Sequence, residues 1–343
     1  MPAKIEGGYD HKRQILADIV PLPAPFTLFI SPTQRCNFRC FYCTHSKTVE
    51  EKLACGFQTV DMDPELAETL ARQAEAFGGK IKRVVFTGLG EPLVNPNLPE
   101  MIRAFAEKEV AGGYEVITNA YLLTPQLTDR LLDAGLTYLR VSIQGINSEQ
   151  YQKTAGVTVD YDRMVGHLRY FYEHKGNCRL YIKTMDASLE QEEDKEKFFG
   201  TFSPICDKVY IEHLVKAQPS MMEQYGEHVS SELTFFQEPS EYREVCPYLF
   251  YVLQVDSLGR VFPCPPLGFG DEFSLGNAVQ TSLYDIWHGR RLRELQMEHL
   301  NHRRHSHPVC GSCENYLCFT PKEDNLDLHA EEIRNRLELE QLV

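Results

Sequence analysis

The sequence predicts an α/β fold, a partial (β/α)6 TIM-type barrel of parallel strands, followed by a small cysteine-rich region. Three observations carry this expectation. Six short apolar runs alternate with amphipathic helical patterns between residues 27 and 214, and strands joined through helices pair in parallel by right-handed crossovers. Runs such as VVF (84–86) and VYI (209–211) are apolar throughout, as strands covered on both faces should be. The cysteines gather in two clusters, one after the first run and one far beyond the last.

The chain of 343 residues has room for one large domain and a lesser one. Apolar residues make up 43% and charged residues 24%, an ordinary soluble composition. No apolar stretch approaches the ~20 residues of a membrane helix, and the opening MPAKIEGGYDHKRQ lacks the apolar core of a secretory signal. A cytoplasmic protein without a membrane partner is expected. Lys and Arg number 35 against 49 Asp and Glu, giving a net charge of −14, which disfavours nucleic acid as a partner. Only residues 288–307 are locally basic. Eleven cysteines in a reducing compartment point to metal rather than disulfides.

Taken in order, residues 1–25 form an N-terminal extension. The barrel occupies 26–215, with strands expected at TLFIS (27–31), RVVFTG (83–88), YEVITN (114–119), YLRVSIQ (138–144), RLYIKT (179–184) and KVYIEHL (208–214). Between them lie helical segments, among them DPELAETLARQAEAF (63–77), which opens on an Asp-Pro start and stops at Gly78-Gly79. NLPEMIRAFAEKE (97–109), TPQLTDRLLDAG (124–135) and VDYDRMVGHLRYFYEHKG (159–176) have the same form. Function in such a barrel sits at the C-terminal strand ends. These carry Ser31, Thr87-Gly88, Thr118-Asn119, Ser142 to Gln144, and Glu212-His213, although ordinary turn chemistry accounts for any one of them alone. Residues 216–245 read as a linker, 246–320 as the second region and 321–343 as a terminal helix for packing or oligomerisation.

CNFRCFYC (36–43) follows the first strand directly, placing Cys36, Cys40 and Cys43 at the active end. Thiolates at this density bind soft metal. Zinc usually takes four ligands and a [4Fe–4S] cluster normally four cysteines, so three leave one iron open to an external ligand. The spacing resembles the CxxxCxΦC signature of the radical S-adenosylmethionine (SAM) superfamily, with Tyr42 as the aromatic residue. TGLGEP (87–92), one strand later, resembles that family's glycine-rich motif through Gly88, Gly90 and Glu91. The resemblance covers residues 26–215 and implies a [4Fe–4S] cluster whose open iron is chelated by SAM. It also implies an external one-electron reductant such as flavodoxin or ferredoxin. Cleavage of SAM would yield methionine and a 5′-deoxyadenosyl radical that abstracts hydrogen from a C–H bond, while the protein positions the target carbon. Polar residues at later strand ends would hold SAM, and the matching positions are Asn119, Ser142, Gln144 and Lys183. Two departures stand out. Gln144-Gly145 replaces an acidic residue before glycine, and Ala155 stands where relatives carry a basic residue, leaving Lys153 as a possible substitute.

CPYLFYVLQVDSLGRVFPC (246–264) reads as two strands joined by a DSLG turn, with a cysteine at each end. A loop leading into a helix (275–296) and CGSCENYLC (310–318) follow. This part resembles the SPASM and Twitch auxiliary-cluster domains. A full SPASM domain has seven cysteines and this region has five, so the resemblance implies one auxiliary [4Fe–4S] cluster on Cys246, Cys264, Cys310 and Cys313. Cys318 is left over as an alternative ligand or a buried thiol. His299, His302, His305 and His307 are read as polar loop rather than metal ligands.

Three functions remain open. The first is oxidation or epimerisation of a sugar- or aminocyclitol-type small molecule, since the cysteine count resembles the alcohol-oxidising inosamine dehydrogenase. Glu212 and His213 are the candidate bases for oxidation. Cys55, Cys178 and Cys206 are the unassigned thiols that epimerisation would need, and Cys206 is carried forward as the hydrogen donor. The second is modification of a ribosomally made peptide, although only about 26 residues precede the first strand where many such relatives carry a leader-binding domain. The third is a zinc-stabilised, non-enzymatic scaffold.

Overall fold

The computed structural model describes residues 3–9, 12–77, 79–189, 191–217, 219–225, 229–265 and 270–340. Gly78, the expected stop of one helix, lies outside them. The strands are β1 (Lys4–Ile5), β2 (Thr27–Ile30), β3 (Arg83–Phe86), β4 (Tyr114–Thr118), β5 (Tyr138–Ile143), β6 (Arg179–Met185), β7 (Lys208–Glu212), β8 (Val252–Val255), β9 (Arg260–Phe262) and β10 (Gly276–Asn277). The six barrel strands, β2 to β7, fall within a residue or two of their expected positions. They pair in sequence order, and every pair is parallel.

Helices between the strands start where side chains can replace the missing backbone partners. Asp63 accepts from Glu65 N ahead of Pro64–Ala74, Thr124 from Leu127 N ahead of Pro125–Asp133, and Asp160 from Arg163 N ahead of Tyr161–His174. Each helix turns one stripe inward: Leu70, Leu131, Leu168 and Phe171 have no solvent exposure. Among the described residues no helix is long and apolar enough to cross a membrane.

Both edges of the six-stranded sheet are extended. β1 pairs in parallel with β7. On the other edge β8 pairs in parallel with β2, and β9 and β10 follow antiparallel, giving one sheet of ten strands. The hairpin expected at 246–264 therefore continues the barrel sheet. The DSLG turn is closed by Asp256, whose carboxylate accepts from the backbone of Leu258 (2.9 Å) and Arg260 (3.0 Å).

Side chains alternate along each strand, and in register they form layers facing the barrel interior. One layer is ionic. Glu115 on β4 accepts from Arg83 on β3 (2.7 Å) and Arg140 on β5 (2.8 Å), and its side chain is 1% exposed. Arg140 also donates to the carbonyl of Gly8 (3.3 Å), so the N-terminal extension reaches the interior network. Removing the shared carboxylate strands two guanidinium groups. Glu115→Ala should destabilise the protein by about 3–5 kcal/mol in anaerobic urea unfolding. Arg130→Ala, which breaks an exposed pair with Glu100, should cost less than about 1 kcal/mol.

Candidate active site

The loop carrying Cys36, Cys40 and Cys43 leaves β2 at its C-terminal end and is fixed on three sides. On the first side lies the β3–helix turn. A Cβ on Gly90 would stand 2.3 Å from the Arg35 carbonyl oxygen, so only glycine permits this approach, and Glu91 N donates to the same oxygen (2.9 Å). Gly88 holds φ +136°, which disfavours any side chain. On the second side, Arg39 N and Phe41 N donate to Ala155 O (2.8 Å) and Thr154 O (3.0 Å) at the end of helix Ser148–Ala155. On the third, Tyr225 donates its hydroxyl to Tyr42 O (2.9 Å), and the Thr44 and Ser220 hydroxyls are 2.6 Å apart. Phe38 anchors the loop in the core against Tyr121 and Tyr151.

Cys36 and Cys43 both lie within electrostatic reach of the Cys40 thiol. Burial pushes the Cys40 thiol well up, and the nearby charges of Cys43 and Cys36 push it further. Cys36 is pushed up to about 12 by burial, then by Glu91 and Cys43. Thiolates crowded this way need a shared cation, which the iron core of a [4Fe–4S] cluster supplies.

The residues expected around SAM divide into two groups. Glu91 accepts from Leu93 N (3.0 Å), the Thr118 hydroxyl (2.5 Å) and Asn119 N (2.7 Å); burial pushes its carboxyl up to about 7 against those donors. Its oxygens are spent on the frame. Asn119 donates to Asn37 Oδ1 (2.8 Å), and Tyr42 donates its hydroxyl to Gln144 Oε1 (2.7 Å). Ser142 stands beside Lys183 in the β5–β6 register. Among the described residues, the buried donors without a protein partner include Asn37 Nδ2 in the cysteine loop and Gln254 Nε2 on β8. Gln254 lies 3.3 Å from where a Cβ on Gly88 would be. Such orphans fit a ligand with carboxylate and hydroxyl groups, and nothing in the local sequence singled out either residue.

At the ends of β6 and β7 the candidate bases separate. Glu212 is buried, ion-paired with Lys183 and hydrogen-bonded by Tyr181 (3.0 Å), so both its oxygens are engaged by the protein. Lys183 is correspondingly turned to Glu212. His213 is different: Nδ1 lies 2.6 Å from Asp186 Oδ2, and Nε2 is buried without a partner. Asp186, which the sequence reading missed, also accepts from Leu214 N (3.0 Å). Cys206 precedes β7 and Cys178 precedes β6, both buried at the opposite end of the sheet. A five-residue strand spans roughly 16 Å, so Cys206 is corrected from hydrogen donor to core residue.

In the second region Cys246, Cys264, Cys310 and Cys313 line one small, almost wholly apolar cavity. The Cys264 thiol is pushed up by burial and then by the other three, which places all four within mutual influence. Cys318 is buried outside the lining. His299 accepts from Cys246 N (3.2 Å) and His307 from Cys310 N (3.1 Å), so two of the four histidines brace cysteine backbone. Four converging thiols fit a fully ligated cluster.

Comparison with known proteins agrees with this division. The model of the radical SAM superfamily matches residues 30–191, and that of the SPASM iron–sulfur cluster-binding domain matches 246–314. A Pyrococcus furiosus relative, the tungsten-containing aldehyde ferredoxin oxidoreductase cofactor-modifying protein, is 24% identical over 326 residues, covering 83% of this chain and 86% of that one. A probable GTP 3′,8-cyclase of Methanosarcina acetivorans is 36% identical over 130 residues, 38% of this chain and 36% of that one. The chain thus spans little more than a third of that cyclase. Among solved structures, BtrN in complex with AdoMet and 2-DOIA superposes with TM-score 0.52 at 20% identity, covering 84% of this chain and 92% of that one. SuiB of Streptococcus suis bound to S-adenosylmethionine gives 0.57 at 18% identity, covering 88% and 74%. The protein belongs to the radical SAM superfamily as an enzyme with a C-terminal SPASM domain, and its cofactors are SAM, the [4Fe–4S] cluster that binds it and a further iron–sulfur cluster.

Proposed function

We propose that the enzyme oxidises a hydroxylated carbon of a sugar- or aminocyclitol-type small molecule, drawing its initiating electron from a flavodoxin or ferredoxin. Cys36, Cys40 and Cys43 hold the SAM-binding cluster in this reading, and Cys246, Cys264, Cys310 and Cys313 the auxiliary one. When bound, the first cluster and SAM supply a 5′-deoxyadenosyl radical. The single observation that carries the reading is the Asp186–His213 pair at the barrel mouth. Asp186 Oδ2 stands 2.6 Å from Nδ1 and orients the ring, and Nε2 is left without a protein partner. That atom suits the hydroxyl proton of a substrate radical.

The step balances. His213 would take the O–H proton, SAM at the cluster held by Cys36, Cys40 and Cys43 would supply the chemistry that removes the C–H hydrogen atom, and a cluster held by Cys246, Cys264, Cys310 and Cys313 would take the remaining electron, leaving C=O. His213 N donates to Phe235 O (2.9 Å) and Phe235 N to Cys318 O (2.9 Å), so two hydrogen bonds join the base to the auxiliary-cluster loop. Asn315 in the same loop donates to Ala217 O (2.6 Å). Removal of Cys206 from the mouth weighs against epimerisation through that thiol.

The deciding experiment is an anaerobic assay of 5′-deoxyadenosine formation with sugars, aminocyclitols and peptides. A hydroxylated small molecule converted to a product two hydrogens lighter supports the reading; turnover with peptides alone overturns it. His213→Ala should lower product formation at least about 100-fold while 5′-deoxyadenosine still forms, and Asp186→Asn should do the same by misplacing the ring proton. Cys36→Ala should abolish 5′-deoxyadenosine and reduce bound iron from about eight to about four per chain.

A further inference from the structure

Arg304 is a buried cation without an anionic partner among the described residues. It is 4% exposed, lies over the Tyr316 ring (4.0 Å to the centroid) and lines the same cavity as the four cysteines. Its hydrogen bonds go to neutral groups, the carbonyls Cys313 O (2.6 Å) and Arg243 O (3.4 Å) and the side chains of Tyr242 and Tyr316. Among the described residues no carboxylate pairs with it. Glu314, in the loop it contacts, is paired instead with Lys216 (3.6 Å) and Ser231. An isolated buried charge is expensive unless an anion answers it. The thiols of Cys246, Cys264, Cys310 and Cys313 line the same cavity and would supply that anion when they hold a cluster.

A cluster on four thiolates is anionic, and reduction adds another negative charge. A fixed cation beside it favours the reduced form, because net charge and hydrogen bonding set such potentials. We propose that Arg304 is the counter-ion of the auxiliary cluster and raises its reduction potential, so that it can accept the substrate electron. The electron-accepting role rests on the oxidoreductase reading above, whereas the counter-ion role stands on the cavity alone.

The test uses the full-length chain carrying Cys36→Ala, Cys40→Ala and Cys43→Ala together, so that only the auxiliary cluster contributes. Its midpoint is followed by electron paramagnetic resonance during anaerobic potentiometric titration. Adding Arg304→Gln should lower the reduced-to-oxidised ratio at fixed potential at least about tenfold, about 59 mV for a one-electron couple. Adding Arg304→Lys should restore most of it. An unchanged midpoint in the Gln variant overturns the proposal. If Gln prevents iron loading and Lys permits it, the counter-ion role is supported. If both prevent loading while circular dichroism shows native secondary structure, a charge role is refuted. The titration needs no substrate, so failure to oxidise any alcohol would remove the oxidoreductase reading without altering this result.

Discussion

The mouth of the barrel depends on one buried carboxylate. Glu91 leaves the β3 turn, takes the Thr118 hydroxyl and Asn119 N at the end of β4, and returns to Leu93 N on its own turn. Its neighbour Gly90 lies against the backbone that leads into the cysteine loop. Three elements far apart in sequence are thereby held to a common register at the point where SAM must bind. A ligand contact by Glu91 itself is not needed to explain why the residue is there; a rigid frame around a cluster short of one protein ligand is enough.

The two cysteine sets face opposite electrostatic problems. At the mouth three thiols crowd a loop roofed by Tyr225 and Ser220, and a cluster held by them would keep one iron open to SAM. In the second cavity four thiols converge in an apolar shell against a guanidinium. A cluster held by all four would leave charge rather than access as the adjustable quantity. The continuous sheet, with β8 paired to β2, brings this closed site to the same body as the open one. The hydrogen-bonded path through Phe235 connects its loop to the end of β7.

Much of this was legible in the sequence because it is local. Short apolar runs located β2 to β7, Asp-Pro and Thr-Pro starts located helices, and cysteine spacing marked the two clusters. What the sequence hid is long-range. Lys4–Ile5 has no strand pattern, and only pairing with β7 makes it one. The 246–264 hairpin has a clear turn, but its attachment to β2 leaves no local mark. Glu212 and His213 looked equivalent as neighbours at a strand end; Lys183 and Asp186, both from β6 or its end, distinguish them. Cys206 was misassigned because a lone thiol says nothing about which end of a strand it occupies, and Asp186 was missed because its role exists only through His213.

The central claim is that one cluster is open to SAM and the other is closed. Electron paramagnetic resonance of the anaerobically reduced wild-type enzyme, recorded with and without SAM, tests it most directly. The account predicts two cluster signals, of which SAM alters one. Two altered signals, or two that ignore SAM, would contradict it.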